Sequence, residues 1–184
     1  MTSEDPPSDE ALMQEVKAGS PAAFEVLYDR HRRSLFNFLL RFIGDRQLAE
    51  DLLQETFLRV FDSREAYRPT AAFRTWLFTI ARNLVIDHSR KRSGIPEADA
   101  GDILEAVEDP GNAPSRLVEA RELLERLEGA VLRLPPSERE VLLLSRFGGL
   151  SHAEIAEVTR SSPVTVRVTL HRALRRLRAF LGSL

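Results

Sequence analysis

The chain contains no cysteine and no long apolar run. Without cysteine there are no disulfides, no Cys-ligated zinc or iron–sulfur centres and no thiol catalysis. The longest apolar stretch falls well short of the about 20 residues that a membrane helix needs. The N-terminus also lacks the basic region and apolar core of a signal peptide. We therefore expect a soluble, cytoplasmic protein with no direct membrane insertion.

Catalytic motifs are missing as well. The sequence has no glycine-rich phosphate loop and no nucleophile motif. Its histidines are scattered rather than grouped with acids at metal-ligand spacing: His31, His88, His152 and His171. We expect no enzyme activity, no cofactor and no metal.

Net charge is low, with 26 basic against 28 acidic side chains, which by itself argues against a nucleic-acid-binding protein. The distribution along the chain reverses that argument. Residues 1–19 carry a net charge of −4, residues 20–93 carry +4, residues 94–115 carry −6 and residues 116–184 carry +4. Two basic blocks are thus separated by an acidic linker and preceded by an acidic tail with a short helix.

Period-two alternation is absent and helical periodicity dominates, which predicts an all-α protein of two small helical domains joined by a flexible linker. Helix signals mark the N-terminal half. The predicted elements are a helix over Asp9–Ala18 stopped by Gly19, a helix from Ser20-Pro21 to Gly44, a helix capped by Asp45, and a helix over Ala72–Lys91. Within the linker, a helical turn is predicted at Asp102–Val107.

Four further helices are predicted after the linker. They are Arg116–Leu132 capped by Ser115, a helix opened by a Ser137/Glu140 capping box after Pro135-Pro136, His152–Thr159 opened by a Ser151/Glu154 box, and a last helix from Ser162-Pro163.

The segment Leu150–Leu181 is the strongest functional signal, because a short helix, a tight turn and a longer basic helix make a helix-turn-helix. Apolar residues at helical spacing are predicted to pack the two helices: Ile155, Val158, Val166, Leu170, Leu174 and Leu177. The opposite face carries Arg167, His171, Arg172, Arg175, Arg176 and Arg178. Such a face suits phosphates and base edges. The alternative is a solvated helix at the end of a bundle.

Two more segments carry weaker signals. The helix Phe73–Arg92 has an apolar face and a mostly basic face, and the preceding loop offers contacts to unpaired bases. Trp76 alone is more simply explained as a core aromatic. The segment Ala49–Phe61 presents a mixed polar face suited to a basic partner, although an ordinary amphipathic helix has the same spacing.

Three motif blocks in this order resemble the extracytoplasmic-function sigma factors of the bacterial sigma-70 family. Residues 49–57 (AEDLLQETF), 73–77 (FRTWL) and 80–83 (IARN) look like their sigma-2 domain. The sigma-4 domain is matched by Leu134-Pro135-x-x-Glu138-Arg139, Leu150-Ser151-x-x-Glu154-Ile155-Ala156 and Thr165-Val166-x-x-x-Leu170-His171-Arg172-Ala173. The resemblance covers about residues 20–92 and 116–181.

This resemblance implies a specificity subunit of RNA polymerase, acting in a stress or signal response under an anti-sigma factor. Its implied partners are promoter DNA and core polymerase, through the clamp helices of the largest subunit and the beta flap. Core-binding residues would be Asp51, Leu53, Gln54 and Glu55. Residues for the −10 element would be Tyr67, Arg68, Thr70, Arg74, Asn83, Asp87, Arg90 and Lys91. Residues for the −35 element would be Thr165, Arg167, Val168, His171, Arg172 and Arg175. The linker would thread the RNA-exit region.

The chain departs from the family where Arg160 replaces a frequent turn glycine, and where Val168 and Thr169 replace a frequent Ser-Arg pair. Two other functions fit part of the sequence. A stand-alone helix-turn-helix regulator leaves residues 45–61 without a role, and a purely protein-binding helical adaptor leaves both basic faces unexplained.

Overall fold

A computed structural model describes residues 6–93 and 115–182, and within these ranges the chain is α-helical with no strand. The helices are α1 Asp9–Lys17, α2 Pro21–Ile43, α3 Arg46–Asp62, α4 Phe73–Ser93, α5 Ser115–Leu132, α6 Pro136–Arg146, α7 His152–Thr159 and α8 Pro163–Gly182, with a 3-10 turn at Arg64–Ala66. The predicted all-α class is confirmed. Residues 94–114, including the predicted turn at Asp102–Val107, lie outside the described residues.

Most helix starts follow the predicted caps. The Ser20 hydroxyl accepts from the backbone N–H of Ala23 at 3.3 Å, and the Asp45 carboxylate accepts from that of Leu48 at 3.1 Å. Each cap satisfies an N–H group that has no partner within its helix. Gly44 ends α2 at φ 81°, a left-handed conformation that glycine adopts without steric cost. These signals set the boundaries of α2 and α3.

The predicted Ser137/Glu140 capping box is wrong. Helix α6 begins at Pro136, with Pro135 as its N-cap and no side-chain cap. Pro136 suits the first helical position because its ring sets φ and it has no N–H to satisfy. Glu140 lies one turn further on and is free to make a different contact, with Arg82 of α4.

Helices α1 to α4 form an N-terminal unit around an aromatic core. Phe38, Phe73 and Phe78 are fully buried, and the Phe38 ring meets the Phe78 ring edge-on at 5.3 Å between centroids. Burying each such side chain stabilises the fold by about 2–3 kcal/mol. Helix α1 belongs to this core, because Leu12 and Met13 are buried in it.

Helices α5 to α8 form a C-terminal unit in which α6 and α7 both pack on α8. Ile155 of α7 and Val166 and Ala173 of α8 are fully buried between them. The prediction that Leu174 packs in this interface is wrong, because its side chain is 43% exposed. The smaller Ala173 takes the inward position and lets the helices approach closely.

The two units lie against each other, with α4 packed on α7 and the end of α2 packed on α5 and α6. Arg41 of α2 pairs with Glu128 of α5 at 3.0 Å and lies over the Phe147 ring. This arrangement, with the two units in contact, is called the closed arrangement below.

Candidate nucleic-acid interface

Helix α8 carries the most clearly divided surface of the molecule. Its buried residues Val166, Ala173 and Leu177 share one side of the helix. The predicted DNA-binding residues are all exposed: Thr165, Arg167, Val168, His171, Arg172 and Arg175. Because 3.6 residues make one turn, most of this set falls on the side opposite the buried residues. This exposed side is called the reading face.

Two valines give the reading face an apolar strip between its cations. Val164 is 60% exposed and Val168 is 42% exposed, and they stand one turn apart. Sequence reasoning missed Val164, although its spacing of four residues from Val168 was a readable signal. In a DNA-binding helix, an apolar strip flanked by arginines is suited to thymine methyl groups and phosphates together.

The turn between α7 and α8 is held by specific backbone bonds. The Ser161 N–H donates to the Ala156 carbonyl at 2.9 Å and the Arg160 N–H donates to the Glu157 carbonyl at 3.3 Å, the pattern of a Schellman motif. Arg160 therefore adopts φ 54°, which is left-handed. The Ser162 hydroxyl then caps α8 by accepting from Thr165. The predicted turn and cap are confirmed.

The start of α7 is a complete capping box. Ser151 and Glu154 exchange hydrogen bonds between side chain and backbone. These bonds from Ser151 lower the pKa of Glu154, because they favour the charged carboxylate. Its other oxygen accepts from the Thr75 hydroxyl of α4 at 3.3 Å, so the box also joins the two units.

One arginine predicted for the basic face has another role. Arg176 points to α6, where its guanidinium contacts the buried carboxylate of Glu138 at 3.0 Å. It therefore stabilises the packing of α6 on α8, whereas its neighbour Arg175 remains exposed on the reading face.

Helix α4 carries a second polar stripe. Asn83 is half-buried, and Asp87 and Arg90 are exposed at intervals of four and three residues, so the three share one face. Trp76 and Ile80 lie on the same face and are also partly accessible. The side chain of Lys91 lies outside the described residues. The structure thus brings three of the predicted −10 residues together beside a half-exposed aromatic ring.

The loop before α4 differs from expectation at Tyr67. Its ring is 3% exposed and packs 4.9 Å from Trp76 and 6.2 Å from Phe73, between centroids. Burial, with smaller effects from Glu10 and Asp9, raises the pKa of its hydroxyl to about 12. Tyr67 was expected at the surface, whereas here its ring cannot reach a nucleotide unless the loop moves.

The other predicted loop residues remain at the surface. Arg68, Thr70 and Arg74 are exposed. The Arg68 guanidinium bonds to the carbonyls of Glu65 and Tyr67, both at 3.0 Å, so it is folded over its own loop. Arg68 and Thr70 lie in the loop before α4, whereas Arg74 lies on the side of α4 opposite the stripe, close to Gly149 of the C-terminal unit.

Helix α3 carries a third surface, with a different character. Asp51, Gln54 and Glu55 are exposed on one face, and Leu58 extends that face by a further turn with 63% of its side chain exposed. These four residues are called the docking stripe below. The predicted core-binding residue Leu53 is not part of the stripe, because it is half-buried on the opposite side of α3 and packs against the core. Leu58 was missed from sequence, although a large apolar residue seven positions after Asp51 was a readable signal.

The docking stripe is an apolar anchor with polar neighbours. Glu55 pairs with Arg59 at 2.8 Å within the helix, whereas Asp51 and Gln54 extend the polar edge. Exposed apolar groups surrounded by polar ones are typical of protein interfaces. The surplus of carboxylates suits a partner with basic residues.

Other sites are not found among the residues that the structure describes. Within residues 6–93 and 115–182 there is no cluster of three or more His, Asp or Glu side chains placed to hold a metal ion. In the same ranges, no helix combines the length and apolarity that crossing a bilayer demands.

Comparison with known protein families gives two matches. Residues 27–95 match Sigma-70 region 2 and residues 124–177 match Sigma-70, region 4. The first match spans α4 and the docking stripe, and the second spans the helix-turn-helix.

Whole-chain relatives agree with these matches. The RNA polymerase sigma factor CarQ of Myxococcus xanthus is 36% identical over 94% of this chain and 97% of its own length. The ECF RNA polymerase sigma factor SigX of Bacillus subtilis is 32% identical over 88% of this chain and 84% of its own length. Among solved structures, CnrH in complex with the cytosolic domain of CnrY has a TM-score of 0.74 at 25% identity, covering 96% of this chain and 99% of that one.

Proposed function

The chain belongs to the extracytoplasmic-function (ECF) RNA polymerase sigma factors of the sigma-70 family, and from that premise we propose which of its surfaces meets which partner. Such a protein is a specificity subunit of RNA polymerase, which gives the polymerase its promoter preference and acts beside it in the bacterial cytoplasm. Each of the three surfaces, on α3, α4 and α8, is assigned one partner below.

The observation that carries the proposal is the reading face of α8. An exposed face with several cations, opposite a buried apolar face, is the arrangement by which a recognition helix enters the major groove. Arg167, Arg172 and Arg175 supply contacts to phosphates and guanines, and Val164 with Val168 supplies contacts to thymine methyls. The C-terminal unit, residues 116–184, is therefore assigned to the −35 element.

The stripe on α4 is assigned to the −10 element. Asn83 offers a donor and an acceptor to a base edge, and Arg90 offers a fork to a phosphate. The half-exposed Trp76 on the same face provides a ring on which an unpaired base can stack. Residues 20–93 thus recognise and help open the promoter, with Arg68 and Thr70 as further contacts in the loop before α4; Arg74 lies on the other side of α4.

The docking stripe is assigned to core polymerase. Leu58 fits a hydrophobic contact, and Asp51 and Glu55 fit basic side chains around it. The partner surface is the clamp helices of the largest subunit, while the beta flap is assigned to the C-terminal unit. We also assign an anti-sigma factor as the regulator, since CnrH, similar over nearly its whole length, was solved with a second protein bound.

Core binding provides the experiment. The double variant Asp51→Lys with Glu55→Lys is expected to weaken binding to core polymerase by at least about tenfold, roughly 1.4 kcal/mol, because it places cations against a basic surface. The matched control is Glu25→Lys with Glu65→Lys, which makes the same charge change at exposed sites outside the stripe. Affinity is measured by fluorescence anisotropy of labelled chain with purified core.

Two further results bear on the assignment. Leu58→Ala is expected to weaken core binding without lowering the melting temperature, because the side chain is already exposed. Equal loss of affinity in the stripe and control variants would remove the docking assignment. Tight, specific promoter binding by the free chain, with no effect on polymerase output, would instead identify a stand-alone regulator.

A further inference from the structure

Two ion pairs between the units have the same polarity. Across this interface, the N-terminal unit contributes the cations Arg41 and Arg82, and the C-terminal unit contributes the carboxylates of Glu128 and Glu140. The Arg139 guanidinium adds a bond to the Phe42 carbonyl at 3.0 Å. In both pairs a carboxylate occupies a guanidinium, a group that binds phosphate in the same geometry.

The pair between Arg82 and Glu140 is the most enclosed of these contacts. Their side chains are only 18% and 12% exposed. Burial raises the pKa of Glu140, and Arg82 partly opposes that effect. Removing one member of such an enclosed pair leaves an uncompensated charge unless the interface opens to water.

The closed arrangement is too compact to read two promoter elements at once. Helix α7 packs on both α4 and α8, and packed helices lie about 8–10 Å apart, so the axes of α4 and α8 are separated by roughly 20 Å. Elements centred at −10 and −35 are about 25 base pairs apart, roughly 85 Å along the duplex. The two units must therefore separate before both elements are bound.

Arg82 directly precedes Asn83 on α4 but lies about 100° around the helix from it, on the side that faces α6 and α7. When the units separate, its guanidinium is released from Glu140 on that side of α4, which adjoins the stripe. A freed arginine in this position is suited to a DNA phosphate.

We infer that Glu140 is an intramolecular latch, which holds the closed arrangement and competes with promoter phosphate for Arg82. The inference rests on the proposed function of α4, and it adds Arg82 as a DNA-binding residue that the closed chain conceals. Binding to core polymerase opens the latch by drawing the units apart, so the free chain is restrained from binding promoters.

Opening is measured in the full chain without polymerase. Because the chain has no cysteine, Asp62→Cys and Ala179→Cys, both exposed, accept a pair of spin labels for distance measurement. The latched chain gives one narrow distance distribution. Glu140→Gln broadens it and shifts it to longer distances, with at least about a tenfold rise in the ratio of open to closed chains. The matched control, Glu157→Gln, removes the same charge from an exposed site on α7 and leaves the distribution unchanged.

Competition is measured with the same variants and a forked −10 DNA. Glu140→Gln binds the DNA several-fold more tightly than Glu157→Gln does, whereas Arg82→Gln opens the chain without that gain. The reversed pair, Arg82→Glu with Glu140→Arg, restores the narrow distribution but not DNA binding.

Two outcomes would overturn the inference. Identical distance distributions for Glu140→Gln and Glu157→Gln would remove the latch. An open Glu140→Gln chain with unchanged DNA affinity would remove the competition for Arg82. Neither result would decide the sigma function, because core binding and transcription by the unaltered chain are measured separately.

Discussion

Replacing Arg160 with glycine should stabilise the protein, because this residue occupies a conformation that favours glycine. Arg160 stands at φ 54° and ψ 44°, after the last residue of α7, where the Schellman motif requires a left-handed residue. In that conformation a residue with a Cβ is strained by about 1–2 kcal/mol. Its exposed side chain lies on no surface that the fold needs.

The expected gain in stability is the strain energy relieved minus the free energy by which glycine's extra backbone freedom stabilises the unfolded chain. The second quantity is about 0.5–1 kcal/mol, so Arg160→Gly should stabilise the protein by about 0.5–1 kcal/mol. For a chain of this size the melting temperature then rises by about 1–4 °C. Thermal unfolding followed by circular dichroism measures the change.

Arg160→Ala is the matched control, because it removes the same charge and side chain but keeps the Cβ. Its melting temperature should equal that of the parent chain or fall slightly. If the alanine and glycine variants gained equally, the strain argument would be refuted, and loss of arginine repulsion in the basic helix-turn-helix would explain the gain.

Three further predictions concern single side chains. Arg176→Ala should lower the free energy of unfolding by about 1 kcal/mol, because it leaves the buried Glu138 carboxylate without its cation. The loss is no larger because Arg176 itself is half-exposed, so solvent screens the pair. Arg175→Ala should instead weaken promoter binding and leave stability nearly unchanged. Urea unfolding measures the stability of both variants, and fluorescence anisotropy with −35 DNA measures their affinity. If Arg176→Ala lost mainly DNA affinity and Arg175→Ala lost mainly stability, the placement of both arginines would be contradicted. Burial lowers the pKa of His31 below its ordinary 6.5, so below that pH the unfolded chain binds more protons than the folded one. Stability should therefore fall from pH 7.5 to 5.5, and His31→Gln should reduce that fall in urea unfolding, whereas an unchanged pH dependence would exclude His31 as its source.

Local signals predicted the helices well, because their causes lie within a few residues of each other. Ser20, Asp45 and Ser151 each cap the helix that follows, and the hydroxyl or carboxylate that does so is visible in the sequence. The same holds for α8, whose apolar and basic positions separate at a period of 3.6 residues.

Errors arose where a distant residue decided the outcome. Glu140 was predicted to cap its own helix, but it contacts Arg82, 58 positions earlier in the chain. Tyr67 was placed at the surface, yet Trp76 and Phe73 enclose it. Leu174 is an error of a different kind: Ala173, seven residues after Val166 and four before Leu177, lies in line with these buried residues, and the larger Leu174 next to it was chosen instead.

Transcription with purified core polymerase shows directly whether the chain gives the polymerase its promoter preference. On a promoter template, run-off transcripts from one defined start site should appear only when the chain is added. Their yield should fall with the double variant Asp51→Lys and Glu55→Lys but not with its control, Glu25→Lys and Glu65→Lys. Core polymerase that binds the chain, yet never starts from a defined site on any promoter of a genomic library, would contradict the account.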